Sequence, residues 1–466
     1  MINRLAATGS AAVLALAIAA PTQARPISAE EATLLREEVR ALKATVERLE
    51  RRLAESEPEG AAPYVAASPV ASLPEAADAG NAAPLKMEWK GSPRMVQGDR
   101  AFKVKGRIQA DANYVSAPDG LDDPGLGFSS EFRRIRLGGE GKLGSGVGYK
   151  LELELSDNSV DLVDTFVTYE SGPFLLTLGN QNPFQSLDEL TGDTSGSFME
   201  RAAFTDAFNF ERRLGISAQY RRGPVVAQIG AFTDDIGALA NDSDGPAGGD
   251  ENNSFSLDGR LVYAPQIGET QLHFGGSMHW RKLGRVSEDP LRYRQRPFVH
   301  STNSRLIGTA PLMVRQESSK GLELGVIHGP FHAVAEGHWF RAERIDAPSA
   351  RFWGGYAEVG YFLTEGDMRP YEHGIFGSAN PKHPVGAGGI GAVQFNLRYD
   401  YLDLNDGAVY GGTQDAYLAA LVWTPVQYLR FNVNYGYIEY TGATALVDGR
   451  TDYAVQVFGS RFELDF

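Results

Sequence analysis

The chain contains no cysteine. That excludes a disulfide framework and any thiolate metal site. Beyond its first two dozen positions no apolar run is long enough for a membrane-spanning helix. A Gly-x-Ser-x-Gly elbow and a P-loop are also missing. The eight His residues are scattered. His332, Glu336 and His338 share one strand face, but same-face neighbours lie ~6.6 Å apart, too loose for a shared metal without a ligand from another strand. The expectation is no metal, no cofactor and no covalent chemistry. Basic charge is in deficit too: Lys and Arg total 44 against 59 Asp and Glu, a net charge of −15. That argues against a nucleic-acid partner. If such a chain crosses a membrane it does so as a closed barrel, because lipid offers no partner to an open sheet edge.

What is present is a strict alternation. At the C-terminal end Phe462, Leu464 and Phe466 point one way, and Arg461, Glu463 and Asp465 the other. The same period recurs upstream. Phe102, Val104, Ile108, Ala110, Ala112 and Tyr114 oppose Lys103, Lys105, Arg107, Gln109, Asp111 and Asn113. Val393, Phe395, Leu397, Tyr399 and Tyr401 oppose Gln394, Asn396, Arg398 and Asp400. A soluble sheet shows alternation as well. Strands of about ten residues, aromatics near their ends and alternately short and long connections favour a barrel in lipid. Strand starts near 102, 131, 147, 161, 174, 212, 225, 255, 270, 320, 331, 352, 391, 415, 428 and 453 give sixteen. The fold class expected is all-β: a 16-stranded antiparallel transmembrane β-barrel over residues 99–466. Tight turns such as Leu143-Gly-Ser-Gly146, Glu170-Ser-Gly-Pro173, Arg222-Gly-Pro224 and His328-Gly-Pro330 would be periplasmic. Glu365–Gly389 falls on the turn side yet is long, so it is expected to fold into the lumen or lie across its inner mouth.

Ahead of the barrel three segments differ in composition. Residues 1–24 read as a secretory signal: Arg4, the apolar stretch AAVLALAIAA, then small residues at Ala17-Ile-Ala19 and Thr22-Gln-Ala24. Residues 27–56 read as a periplasmic coiled-coil helix. Ala32, Leu35, Val39, Leu42, Val46, Leu49 and Leu53 form a heptad seam. An isolated helix of this length is marginal, so association is expected. Residues 57–98, rich in Ala and Pro, read as a flexible linker.

Several segments together resemble a known family. They are Glu131-Phe-Arg-Arg-Ile-Arg-Leu-Gly-Gly-Glu-Gly141 with Tyr149-Lys-Leu-Glu152; Leu178-Gly-Asn-Gln-Asn-Pro-Phe184 with Leu187-Asp-Glu-Leu-Thr191 and Phe198-Met-Glu-Arg-Ala202; and Phe376-Gly-Ser-Ala-Asn-Pro381 with Gly388-Gly-Ile-Gly-Ala392. In this order they resemble the phosphate-selective porin O and P family. The resemblance implies a homotrimeric outer-membrane channel whose loops fold inward and whose anion preference rests on pore arginines and lysines. The C-terminal aromatic likewise resembles the assembly signal of bacterial outer-membrane barrels.

On the face expected to line the lumen, the basic candidates are Arg107, Arg134, Arg136, Lys150, Arg213 and Arg398. Glu140, Glu152, Glu154 and Asp400 are interleaved with them, so mutual neutralisation is the competing reading. Glu189, Glu200 and Arg201, in the segment 182–209, are candidates for the constriction, since fixed charge at a narrow point selects ions by sign. Arg281, Lys282, Arg285, Arg292, Arg294, Arg296 and Arg305 would form an anion funnel if their loop folds inward. Loop acids such as Asp119, Asp122, Asp123, Asp242 and Asp250 would repel anions or bridge lipopolysaccharide through divalent cations. The function expected is passive diffusion of small hydrophilic solutes, anions such as phosphate first, across a Gram-negative outer membrane. The alternatives are a general or cation-preferring porin and, in another class, a structural tether acting through the coiled coil. Outer-membrane lipid and lipopolysaccharide are the expected surroundings.

Overall fold

The computed structural model describes residues 83–466 except 157, 235, 237–253 and 285–289. The expected leader, the coiled coil and most of the linker lie outside the described residues, as does Arg285. Sixteen strands form the wall: β1 (Arg100–Val115), β2 (Gly127–Gly144), β3 (Val147–Glu154), β4 (Asp161–Ser171), β5 (Phe174–Gln181), β6 (Arg213–Arg222), β7 (Val225–Phe232), β8 (Phe255–Tyr263), β9 (Thr270–Lys282), β10 (Val314–His328), β11 (Phe331–Arg344), β12 (Ala350–Phe362), β13 (Ala392–Asp403), β14 (Thr413–Val426), β15 (Leu429–Thr441) and β16 (Tyr453–Asp465). Each pairs antiparallel with the next. β16 returns to β1, with Arg461 opposite Asp111 and Leu464 opposite Ile108. Closure leaves no free edge among these strands, which is what a hydrocarbon surrounding requires.

The alternation read from the sequence sorts the side chains. Along β13, Leu397 is 47% exposed and faces outward, whereas Arg398 is 4% exposed and faces inward. Leu261, Leu322, Leu324, Val433 and Phe458 belong to the same exposed outer band. So much contiguous apolar surface fits lipid and not water. The strand ends carry aromatic rows: Tyr263, Phe331, Tyr361, Phe395, Trp423 and Phe462 near the tight turns, and Trp280, Trp339 and Trp353 near the long loops. By the usual asymmetry of these barrels, the two-residue turns 145–146, 172–173, 223–224, 329–330 and 427–428 mark the periplasmic end.

The chain's last residue helps close the wall. Gly106 and Phe466 exchange both backbone hydrogen bonds at 2.9 Å. The Phe466 ring lies over Gly106, where an added Cβ would meet it at 2.2 Å. Only glycine admits the ring there.

Two expectations need correcting. Residues 83–98 are not part of a flexible linker. Lys86–Trp89 and Pro93–Gln97 make a hairpin whose second strand pairs with β1. Its strands are too short for a period to show. Nor is the interior uniformly ionic. The inward row of β14 is Ala416, Leu418, Ala420 and Val422, all buried. Ala416, Leu418 and Ala420, with Ile438, Tyr440, Val455 and Val457, belong to an apolar core inside the barrel that includes the inward-folded loops.

Candidate functional site

The connection between β5 and β6 enters the barrel and carries two short helices, α1 (Leu187–Leu190) and α2 (Ala203–Ala207). Its sequence explains its seating. Ser186 caps α1 by accepting from the Glu189 amide. The remaining amides at that end still need an acceptor, and the wall supplies Glu336 of β11. The Leu187 and Asp188 amides donate to its carboxylate at 2.8 Å each, and Ser186 Oγ donates at 3.0 Å. Asp400 of β13 likewise accepts from the Ala203 amide at the start of α2. Both carboxylates sit where a helix terminus favours negative charge. On the other side of α2, Phe204 stacks on His338 at 4.6 Å and Phe208 on Phe340 at 4.8 Å.

Between the helices Asp193 gathers cations. Its carboxylate lies 3.1 Å from Arg107, 3.1 Å from Arg134, 3.8 Å from Arg136 and 3.0 Å from Arg201. Burial alone would raise its pKa, but the four guanidiniums, Arg134 foremost, hold it well below the usual carboxylate range. Three of the arginines have further carboxylates: Asp465 for Arg107, Glu154 and Glu152 for Arg136, Glu189 for Arg201. Among the described residues Arg134 pairs with no carboxylate but Asp193, and it adds a hydrogen bond to Gln109. Arg201 also donates to the carbonyls of Asp188, Glu189 and Thr191, so it pins the segment's own backbone. Glu200 reaches the wall, 2.6 Å from Arg461 and 3.5 Å from Arg133. Against its burial, those cations lower it to about 2.

The other expected residues sit as follows. Lys150 pairs with Asp164 at 2.6 Å and touches Glu152 at 3.6 Å, so it adjoins the Arg136 cluster. Arg398 holds Glu358 at 2.6 Å and Asp188 at 3.4 Å, and stacks on Tyr356 and Phe198. Arg213 is buried at the start of β6, is held by an interaction of its own, and does not join the Asp193 cluster. Glu189 is buried 3.3 Å from Arg201. Burial outweighs that partner, whose charge is shared with Asp193, and pushes Glu189 up to about 7. Thus the structure brings Arg107, Arg134, Arg136, Arg201 and Glu189 together and sets Arg398 and Arg213 apart from them.

Sequence reasoning missed Asp193, Asp188, Glu336, Arg133 and Arg461. Arg461 and Arg133 stand in rows or motifs already visible. The Arg133-Arg134 doublet was the available signal for a bulge, since the register with β1 slips at Gln109/Ala110 and lets both arginines reach the interior. Asp193 carries no periodic signal, and Glu336, though on the strand face of His332 and His338, carries none that marks its partner.

Two other segments enter the barrel. From the extracellular side, residues 290–313 bury Tyr293, Val299, Leu306 and Ile307. Ser301 is hydrogen-bonded to Asn113 and Ser129, and His300 lies 3.0 Å from Glu131. Arg296 approaches Asp206 at 3.6 Å. Burial and then Arg296 lower Arg305 to about 10, a mark of crowded cations at that mouth. From the periplasmic side, residues 363–391 fold in as expected. Arg260 donates to the Gly374 carbonyl, Tyr371 meets His273 at 2.5 Å, and Arg369 donates to the Ser195 carbonyl of the constriction segment. Between the outer loop and the segment 182–212 remains a cavity of about 190 Å³, lined by Arg133, Arg134, Arg201, Arg296 and Arg398 together with Asp188, Glu189, Asp193, Glu200, Asp206 and Glu211. The cavity thus lies inside a closed barrel and is lined by charged side chains of both signs.

Residues 102–466 match the family described as phosphate-selective porin O and P. The chain belongs to this family. It is an outer-membrane channel protein of the porin type. A relative in Caulobacter vibrioides, described as an uncharacterized protein, is 58% identical over 94% of this chain and 91% of its own length. Among solved structures, the anion-selective porin from Comamonas acidovorans is 13% identical, with a TM-score of 0.51 over 79% of this chain and 100% of that one. OmpT of Vibrio cholerae is 9% identical, with a TM-score of 0.50 over 82% of this chain and 100% of that one. At such identities these two share the porin barrel with this chain.

Proposed function

We propose that this porin carries small hydrophilic solutes by passive diffusion, with anions such as phosphate favoured at the constriction. The observation that carries the reading is the convergence of Arg107, Arg134, Arg136 and Arg201 on the single carboxylate of Asp193. A low-dielectric wall focuses the field of such a cluster on the passing ion. The anion-selective porin of Comamonas, alike in fold, supports the same direction. A general or cation-preferring channel is the second reading, favoured by the cavity lining, where acids match arginines. Reversal potential across a planar bilayer in a salt gradient separates them. Replacing Arg134 and Arg136 together by Gln should lower the anion-to-cation permeability ratio several-fold; an unchanged reversal potential counts against their role. Phosphate competition against chloride current then tests the solute.

Glu189 adds a pH dependence. With its pKa near 7 the carboxyl is neutral at pH 6 and charged at pH 8. Raising pH through that window adds a negative charge to the constriction, so anion preference should fall. Glu189→Gln should abolish the change; a wild-type ratio that stays flat from pH 6 to 8 contradicts it.

Assembly as a homotrimer follows the family resemblance, with residues 27–56, whose heptad seam reads as a coiled coil, as an added oligomerising element. Deleting 27–56 should weaken the oligomer on native gels. Oligomers that persist unchanged remove the helix from that role. A structural tether would be the remaining reading only if the full chain passes no current.

A further inference from the structure

We propose that the outer face of β9–β12, at the extracellular end, binds the anionic head group of lipopolysaccharide. Five cations crowd this collar: Lys282, Arg315, Lys320, Arg341 and Arg351, all exposed. They stand on the lipid side of the wall, in a chain whose net charge is −15. The register brings them together. Arg341 lies directly opposite Arg351, Lys320 opposite Trp339, and Lys282 opposite Gln316.

Internal partners do not account for them. Two acids touch the patch: Glu343, shared between Arg341 at 3.4 Å and Arg315 at 3.6 Å, and Asp406, which accepts from the Arg351 backbone amide at 2.8 Å. Lys282, Lys320 and Arg351 make no ion pair with a described residue. Like charges placed directly opposite on one sheet face destabilise the pair. The Arg341–Arg351 pair is relieved by an anion lying between them.

Height in the membrane names the class of anion. On β11 the outward residues run from Phe331 to Trp339 through Ala333, Ala335 and Gly337. Eight residues at ~3.3 Å each give a path of about 26 Å along the strand, a rise of about 20 Å at a tilt of ~40°, most of the ~25 Å apolar band of such barrels. Trp280, Trp339 and Trp353 therefore mark its upper rim, and Lys282, Arg341 and Arg351 stand two residues beyond them, at head-group level. Lys320, level with Trp339, reaches the same plane by extending its stem over apolar surface. Beyond Trp353 the sign reverses: Asp403, Asp415 and Glu439 occupy the same level on β13–β15. The attractive surface is thus confined to four strands, and its occupant joins acyl chains to a multivalent anion, as lipopolysaccharide does.

The test compares the full-length porin with Lys320→Gln/Arg341→Gln/Arg351→Gln, none of which faces the lumen. Purified rough lipopolysaccharide is titrated into each protein in detergent, and binding is read by native mass spectrometry and by the melting temperature. Vesicles of phosphatidylglycerol provide the second arm. Expected are saturable lipopolysaccharide binding with a raised melting temperature in the wild type, at least tenfold weaker binding in the triple variant, and weak binding of phosphatidylglycerol by both. Unaltered single-channel conductance of the triple variant shows that it is folded; Lys320→Gln alone, expected to weaken binding by a smaller factor, replaces it if it is not. Equal lipopolysaccharide binding by wild type and variant overturns the proposal. So does equal binding of phosphatidylglycerol and lipopolysaccharide by the wild type.

Discussion

Asp193→Asn increases the anion-to-cation permeability ratio of the channel roughly sixteenfold and lowers the stability of the barrel. The substitution keeps the side chain's shape and removes the charge that Arg107, Arg134, Arg136 and Arg201 share. For an ion passing about 5 Å away in water, one unit of charge is worth ~0.8 kcal/mol, a factor of about four in favour of the anion and about four against the cation, hence roughly sixteen in their ratio. The sign is opposite to that expected for neutralising Arg134 and Arg136. One site thus gives two shifts in opposite directions, which a merely structural role does not produce. Stability should fall by roughly 3 kcal/mol, the low end of the cost of breaking a buried ion pair. The low end applies because Arg107, Arg136 and Arg201 keep other carboxylates, whereas Arg134 keeps none among the described residues. Thermal unfolding of the folded barrel and reversal potentials measure the two parts. A variant with wild-type selectivity places Asp193 outside the ion's path.

The second large effect is expected at Glu336, and it reads out as pore size. Its carboxylate accepts from Ser186 Oγ, from the amides of Leu187 and Asp188, and from the Tyr356 hydroxyl. Glu336→Ala leaves these buried donors without their acceptor. A buried unsatisfied donor costs about 1–3 kcal/mol and hydrogen bonds to charged groups lie at the upper end, so a total of roughly 3–5 kcal/mol is expected. The residue seats α1 without itself lining the cavity, so the loss falls on the seating of the constriction segment. Single-channel conductance should rise and become noisier. Glu336→Gln, which keeps an acceptor oxygen and loses the charge, should fall between. Conductance and melting temperature that match the wild type would show that Arg201, Arg398 and Arg461 hold the segment without Glu336.

What the sequence disclosed, and what it hid, follow from one physical distinction. A wall with lipid on one side and polar side chains on the other imposes a period of two, so β1 and β13 were readable residue by residue. Where the inner side is also apolar the period disappears. In β14 the run Ala416-Tyr-Leu-Ala-Ala-Leu-Val-Trp423 has apolar residues on both faces, and its inward half packs on loops that cannot be seen from local pattern. The candidate site divides the same way. Arg107, Arg134 and Arg136 lie in alternating rows, and their inward direction was legible. Their common partner Asp193 lies in an aperiodic segment, and Ser186 meets Glu336 across 150 positions of chain. Nothing local encodes such a meeting. The doublet at Arg133-Arg134 was legible in principle, because two adjacent residues reach the same side only at a bulge.

The central claim is that this barrel encloses a conducting passage narrowed by its own inward segment. Single-channel recording of the purified full-length chain in a planar bilayer tests it most directly. The account expects discrete current steps whose size grows with salt concentration. A membrane that stays insulating after verified insertion of folded barrels would contradict it.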